Sequence, residues 1–291
     1  MTKEATINKD NNSKVYTLYY AFFLIPLMVT MFGVMFFFVF KVLTYETNSP
    51  IEYLSDVQYG AATKRWQSAF ELSKLLSNPK LVPQDDGFKR KMIAVYEHAI
   101  HDDPTVRMYL ALAMGRTNQT FYGDHLLKGL QDTDQGCRLA AIKALGNLAY
   151  LPSIDEIIKF TKDENSVEER LAATIALGNM EDNSVIPVLQ NLLSDEEPNV
   201  RWDSAIALAK LGDTSGSEVI ANLLDRTYYK NFREVDEEEK VQAIIIAIQA
   251  SSKIPSDKFI NNLMKLAAFD NNMEIRNLAI KTLDKTYNRK I

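Results

Sequence analysis

Residues 138–146 read RLAAIKALG, and residues 170–178 read RLAATIALG, so the phrase returns after 32 residues. A unit that recurs at this period cannot bury its apolar face alone, and it stacks on neighbouring copies of itself. The sequence therefore predicts a solenoid. Such a fold offers a long surface for binding and seldom carries chemistry by itself.

The basic residue that opens this phrase marks further copies along the chain. Between residues 107 and 201 the copies follow at steps of 31 or 32 residues, whereas insertions at 77–87 and 225–239 break the period. We count about seven units. Their opening residues are Arg65, Arg107, Arg138, Arg170, Arg201, Lys240 and Arg276.

Each unit contains two segments whose apolar residues follow the 3.6-residue period of an α-helix. Acidic or proline-containing turns precede the first helix of each unit and supply N-caps. Gly115, Gly146 and Gly178 fall near the ends of the first helices, where a left-handed cap is expected. The repeated unit is therefore predicted to be helix, turn, helix, turn.

This pattern resembles the HEAT repeat, in the short bacterial and archaeal form known from phycobilisome-lyase-type proteins. The matching residues are the acidic turns, Val106-Arg107, Val200-Arg201, Leu145-Gly146 and Leu177-Gly178, and the resemblance covers roughly residues 50–291. It implies an all-α fold, namely an α-solenoid that is a right-handed superhelix of about seven helical hairpins. It also implies that the basic residues bond to acidic turn residues along the stack, and that the second helices line the concave side.

Residues 21–40 contain no charged residue and, as a helix, would be about 30 Å long, the thickness of a bilayer's hydrocarbon core. The sequence predicts an uncleaved transmembrane helix that includes Ala21, Pro26, Gly33 and Phe40, with Pro26 as a possible kink and Gly33 as a possible helix-packing position. The expected organisation is a polar tail at 1–14, the transmembrane helix at 15–43, a connector at 44–50 and the repeat domain at 51–291.

The distribution of positive charge predicts an orientation for this helix. Lys3, Lys9 and Lys14 precede it, whereas Lys41 is the only basic residue between 41 and 60. The positive-inside rule then places the N-terminus in the cytoplasm and the repeats outside it. We expect a single-pass protein of a bacterial inner membrane.

Composition and motifs argue against several classes of function. With 33 basic and 38 acidic residues the net charge is −5, which disfavours nucleic acid as the main partner. His98 and His101 could share one helix face, but a solvated helix end is expected rather than a metal site. Cys137 is expected to be an inert thiol, and no catalytic motif, cofactor or metal is predicted.

Two sets of residues are candidates for contact with a protein partner. The insertion after residue 225 combines aromatic and arginine side chains, the types that dominate interface hot spots. The alternative is that its aromatic residues pack back onto the solenoid while its acidic residues cap the next helix. The insertion candidates are Tyr228, Tyr229, Phe232 and Arg233, and the candidates on the second helices are His125, Lys128, Asp155, Lys159 and Gln190.

The sequence thus predicts a membrane-anchored scaffold that binds a protein partner, itself membrane-associated, in the assembly or organisation of a membrane complex. It is not expected to be an enzyme. The alternatives are a lyase-like enzyme or accessory subunit that acts on a tetrapyrrole, and a sensor whose repeats bind a ligand. A deep cavity with convergent polar groups would favour the lyase alternative.

Overall fold

The computed structural model describes residues 17–43, 49–99 and 103–290. The chain divides into two compact units, residues 1–49 and residues 50–291. The predicted tail at 1–14 and most of the predicted connector lie outside the described residues. Within the described residues the secondary structure is helical, without strands, as the fold class predicts.

The first unit is a helix that contains one π-helical turn. This turn, Tyr20–Leu24, leads into α1, Ile25–Leu43, and Ala21 lies within it. Thr17–Lys41 is long and apolar enough to cross a membrane, and none of its residues is buried. Thr30 Oγ1 donates hydrogen bonds to the carbonyls of Pro26 at 2.9 Å and Leu27 at 2.8 Å, so its hydroxyl is satisfied within the helix.

The second unit is an array of fourteen helices within the described residues. Their apolar faces build its core, which is formed largely by leucine, isoleucine, valine and alanine. In chain order the helices are α2 (Pro50–Tyr59), α3 (Ala62–Leu75), α4 (Asp86–His98), α5 (Pro104–Gly115), α6 (Gly123–Gly129), α7 (Gln135–Asn147), α8 (Ile154–Ile158), α9 (Val167–Asn179), α10 (Ile186–Leu192), α11 (Pro198–Lys210), α12 (Ser217–Leu223), α13 (Glu237–Lys253), α14 (Asp257–Phe269) and α15 (Met273–Tyr287).

The helices of this unit form two layers. The odd-numbered helices from α3 to α15 pack one against the next and form the first-helix layer. The even-numbered helices, which alternate with them along the chain, form the second-helix layer. All seven predicted opening residues lie on first-layer helices. Six of these helices are followed by a second-layer helix, whereas α15 is the last helix of the described residues and α2 precedes the first predicted unit. The handedness of the superhelix stays a prediction.

All seven first-layer helices have the marking residue at the same position. The basic residue that marks each repeat lies four residues after the N-cap, and in six of the seven helices the cap side chain accepts a backbone N–H from the first turn. Ala61, the N-cap of α3, has no such bond. The other caps are Asp103, Asp134, Ser166, Glu197, Asp236 and Asn272.

The arginines of the repeat link consecutive units. Arg170 donates from Nε and Nη2 to the carboxylate of Asp195, both at 2.9 Å, and from Nη1 to the carbonyl of Asn165 at 3.1 Å. Arg107 makes the same bidentate contact with Asp132 at 2.9 and 3.1 Å. Because these groups are buried and fully paired, their role is structural, as the resemblance implies.

The insertion after α12 supplies a replacement for one of these arginines. In α13 the marking residue is Lys240, whose Nζ lies 3.9 Å from Glu237 on the same helix. Lysine cannot form the bidentate contact with the next turn. Arg226 of the insertion forms it instead, through bonds of 2.5 and 3.0 Å to the carboxylate of Asp270.

The glycines of the repeat do not form left-handed caps, so that prediction was wrong. Gly115, Gly146 and Gly178 lie inside or at the end of helices, and a Cβ atom on any of them would come within 2.7 Å of an alanine on the next first-layer helix. These positions need glycine because only a residue without a Cβ atom lets the two helices approach this closely. The left-handed conformation occurs three residues after each of these glycines, at Asn118, Ala149 and Glu181, and at the equivalent Gly212 of the next unit.

Candidate functional site

A cavity of about 540 Å³ opens in the second-helix layer between α4 and α6. The end of α4 contributes Tyr96 and Glu97 to its lining, and α6 contributes His125 and Lys128. The turn that precedes α7 contributes Gln131, Asp132 and Thr133. Two of the predicted contact residues, His125 and Lys128, are therefore brought together here.

The rim of the cavity is a cluster of three charged or titratable groups. Glu97 Oε1 accepts a hydrogen bond from Lys128 Nζ at 2.9 Å and lies 2.8 Å from His125 Nδ1. The hydrogen bond from Lys128 and then that from His125 hold the pKa of Glu97 below its usual value. Lys128 is 70% exposed, so this ion pair adds little stability and its charges remain available to a ligand.

The floor of the cavity depends on a glycine. A Cβ atom on Gly129 would lie 2.5 Å from the hydroxyl oxygen of Tyr96, so a larger residue here would require this side chain to shift. Burial raises the pKa of Tyr96, which is therefore a neutral hydroxyl at physiological pH. The floor is aromatic, while the rim is polar.

The inner wall is formed by Arg107 and Asp132, which also link the units. Arg107 donates to Asp132 and, at 3.2 Å, to the carbonyl of Ala99. Because these bonds hold the guanidinium in place, it is a fixed wall rather than a mobile ligand-binding cation. The cavity can thus bind a polar group at its rim and an apolar or aromatic group on Tyr96.

Cys137 lies near the cavity but lacks the properties of a nucleophile. Its side chain is 4% exposed, and Sγ donates to the carbonyl of Pro104 at 3.2 Å. Burial, followed by the charge of Asp132, raises the pKa of the thiol to about 12. The thiolate that a covalent mechanism needs is therefore scarce at neutral pH.

Only one histidine of the predicted pair lies within the described residues. His98 ends α4, whereas His101 lies outside the described residues. Among the described residues no group of three or more metal-binding side chains is found.

The other predicted residues on the second helices are spread along the layer. Asp155, Lys159 and Gln190 are exposed, and Nζ of Lys159, directly after α8, pairs with Glu156 of α8 at 2.5 Å. Gln190 donates to Ser215 Oγ at 2.9 Å. These side chains belong to the same layer as the cavity but do not line it.

The aromatic residues of the insertion pack onto the solenoid. Tyr228 and Phe232 are half-buried, with their ring centroids 6.2 and 5.0 Å from that of Trp202. Tyr229 is 2% exposed, and its hydroxyl donates to the carbonyl of Leu223 at 2.9 Å. Arg233 is exposed. Tyr229 is thus a core residue, whereas contact with a partner stays a prediction for the other three.

Sequence reasoning had no means of identifying Tyr96, Glu97 and Gly129 as one site. The three residues come from two helices, and Tyr96 and Gly129 meet only after α4 and α6 pack side by side. The one available signal was the acidic and histidine-rich end of α4, which suggested a polar helix end.

Comparison with known proteins agrees with this architecture. The profile described as HEAT repeats matches residues 154–239. The two helix layers continue the same arrangement on both sides of this match. The chain thus contains an α-solenoid whose residues 154–239 match the HEAT repeat.

Two particular proteins are similar to this chain. The complex of CpcE and CpcF of phycocyanin lyase from Nostoc sp. PCC7120 superposes with a TM-score of 0.54 at 18% identity, over 84% of this chain and 96% of that one. An uncharacterized phycocyanin operon protein Y from Pseudanabaena tenuis (strain PCC 7409) is 31% identical over 91 residues. That match spans 31% of this chain and 22% of the relative.

Proposed function

We propose that this chain is a membrane-anchored HEAT-repeat scaffold that binds a protein partner through its second-helix layer. The observation that carries the proposal is the cavity at Tyr96, Glu97, His125 and Lys128, which combines an aromatic floor with an accessible polar rim. Interfaces are commonly built around such a concave centre with polar groups at its edge. Exposed polar residues farther along the layer provide the periphery.

The helix at Thr17–Lys41 supports the membrane part of the proposal. Its length and composition suit a single span, and the lysine-rich tail places the N-terminus in the cytoplasm by the positive-inside rule. In this arrangement the repeats lie outside the cytoplasm of a bacterial cell. The protein would hold its partner at the membrane, as an assembly or organising factor of a membrane complex.

The second candidate function is that of a lyase-like subunit that acts on a tetrapyrrole. It is favoured by the fold shared with the phycocyanin lyase complex and by the aromatic floor of the cavity. The protonated thiol of Cys137 argues against a cysteine-based mechanism at this site. Absorption titration of the full-length protein with an open-chain tetrapyrrole separates the two functions, because the scaffold function predicts no saturable spectral change.

The proposed function is tested by co-purification in mild detergent with quantitative mass spectrometry. The tagged full-length chain is compared with a form that lacks residues 1–47 and with the charge-reversal variant Lys128→Glu. Lys143→Glu is the matched control, since Lys143 is an exposed lysine of the first-helix layer. We expect a stoichiometric partner that both the full-length and the truncated chain retain, and that Lys128→Glu loses several-fold while Lys143→Glu does not.

Two results would contradict the proposal. A partner that is lost only on truncation would move recognition to the N-terminal helix. Absence of any stoichiometric partner from both forms would leave the scaffold function without support.

A further inference from the structure

The close packing of the first-helix layer changes between α11 and α13. In the units that begin at Arg107, Arg138 and Arg170, a glycine eight residues after the marking arginine meets an alanine six residues after the next one, as in the pairs Gly146–Ala176 and Gly178–Ala207. At α11 and α13 the equivalent residues are Ala209 and Ile246. Ala176 and Ala207 are at most 3% exposed, whereas Ile246 is 38% exposed. The close glycine–alanine contact is therefore absent from this joint, which we call the open joint.

The arginine link is also incomplete at this joint. Arg201 donates to the carbonyls of Asp195 and Glu196 but, in the part of the chain that the structure describes, forms no ion pair with a carboxylate of the next unit. Trp202, Ala205 and Ala209 of α11 still share a buried apolar cluster with Ile244 and Ile248 of α13, so the two helices remain packed beneath these changes. The joint between α11 and α13 thus lacks two of the contacts that the joints between α5 and α11 have.

The open joint contains a groove of about 500 Å³. Its apolar part is formed by Trp202, Ile206, Val235, Ala243 and Ile246. Its polar part carries five carboxylates and no basic residue: Asp203, Glu234, Asp236, Glu238 and Glu239. An apolar channel edged by negative charge is complementary to an aliphatic chain that ends in a cation.

Asp203 is the most deeply placed of these carboxylates. It is half-buried on α11, and no hydrogen bond to it is found among the described residues. Burial raises its pKa to about 6, and the charge of Lys210 offsets only part of that effect. A desolvated carboxylate without a partner would be stabilised by a cation that enters the groove.

We propose that this groove binds a segment of a partner protein that inserts a lysine or arginine side chain, with the aliphatic stem on Ile206 and Ile246 and the cation beside Asp203. Lysine and arginine suit this site because they bury apolar stems while their charged ends remain paired. An acidic peptide and an anionic membrane surface are both repelled by the five carboxylates. The site lies in the first-helix layer and does not depend on the partner proposed for the second-helix layer.

The groove contains its own fluorescent reporter. The chain has two tryptophans, and Trp202 lines the groove, so Trp66→Phe leaves a single tryptophan at the site. The full-length Trp66→Phe protein in neutral detergent is titrated with a hydrophilic peptide of alternating lysine and glycine. The same peptide with glutamate in place of lysine is the control ligand, and detergent alone is the blank.

Two double variants remove charge at equivalent positions around the N-caps of two different helices. Glu234 and Glu238 lie two residues before and two residues after the N-cap of α13, and Glu164 and Glu168 lie at the same places around the N-cap of α9. Glu234→Gln with Glu238→Gln removes charge from the groove. Glu164→Gln with Glu168→Gln removes the same charge from a joint that is closed.

We expect a saturable change in Trp202 emission with the lysine peptide only. The groove variant should weaken binding by about five- to tenfold, the matched control should not, and raising the salt concentration should weaken binding further. Equal affinity of the two double variants, or an equal response to the glutamate peptide, would overturn the proposal. So would self-association of the protein that the groove variant abolishes, because the occupant would then be a second copy of this chain.

Discussion

A Cβ atom on Gly146 of α7 would lie 2.6 Å from the Cα of Ala176 on α9, closer than any real Cβ contact. The spacing of the first-helix layer is therefore set by the absence of one carbon atom. Three residues later Ala149 adopts a left-handed conformation, with φ of 47°. Glycine is needed at the first position for space and would be favoured at the second for its backbone freedom.

Exchanging glycine and alanine at these two positions should have opposite effects. Gly146→Ala forces α7 and α9 apart, which costs about 1–3 kcal/mol, less about 1 kcal/mol of gained helix propensity. Ala149→Gly relieves left-handed strain and should stabilise by about 0.5–1 kcal/mol after the greater freedom of the unfolded chain is subtracted. Chemical denaturation of both variants measures the signs. Stabilisation by Gly146→Ala would show that the close contact is not needed.

The Arg170–Asp195 pair should be costly to break from either side. Arg170 and Asp195 are 3% and 8% exposed, so Arg170→Met leaves a buried carboxylate without its partner and should destabilise by about 3–5 kcal/mol. The double variant Arg170→Met with Asp195→Leu should recover much of that loss. A double-mutant cycle from denaturation midpoints measures the coupling, and strictly additive losses would contradict it.

The same pair predicts a loss of stability in acid. Burial raises the pKa of Asp195, but the hydrogen bond from Arg170 and that from the backbone N–H of Glu197 outweigh it, so the pKa lies below its usual value. The folded state therefore binds its proton less readily than the unfolded state. Stability from this group is present at neutral pH and is lost as pH falls below about 4, the usual range for aspartate. Asp195→Asn should remove that part of the pH dependence in unfolding experiments.

Asp203 should show the reverse dependence on pH. Because burial raises its pKa to about 6, the folded state binds the proton more readily than the unfolded state. Asp203 therefore destabilises the protein at pH 7.5, and this penalty disappears as pH falls through 6 towards 4. Asp203→Asn should stabilise by about 1–3 kcal/mol at pH 7.5 and by nothing below about pH 4. An unfolding difference between the two proteins that is constant with pH would contradict the assignment.

Cys137 should react slowly while the protein is folded. Burial keeps its thiol protonated, with a pKa of about 12, and its Sγ is bonded to the carbonyl of Pro104. We expect labelling by a thiol-reactive chromophore at pH 8 to be slower by about 100-fold or more than in denaturant. Fast labelling of the native protein would reopen the possibility of a cysteine nucleophile beside the cavity.

The repeat and its first helices could be predicted from the sequence because a marking basic residue recurs in every unit. In the structure this residue lies four positions after the N-cap of each first-layer helix. Arg138, Arg170 and Arg201 thus located α7, α9 and α11 correctly. The role of Gly146 was missed, because a glycine near a helix end suits a cap and a close contact equally well. Only the position of Ala176 in space distinguishes them.

The two candidate sites could not be predicted from the helical periodicity of the sequence. The cavity is lined by Tyr96 and Gly129, which meet across two helices, and the groove by side chains of α11 and α13 such as Ile206 and Ile246. Nothing in the sequence alone distinguishes these residues from those of other helices. Whether such a residue lines a site depends on the residue that faces it from the neighbouring helix.

The open joint between α11 and α13 also has a mechanical consequence. In a linear array each unit is held only by its neighbours, so an applied load passes through every joint in turn. Because the open joint lacks both the glycine contact and the arginine link, we expect it to be more compliant than the joints between α5 and α11. Under tension α13, α14 and α15 should separate first from the helices before them, and the protein should extend in two steps rather than one.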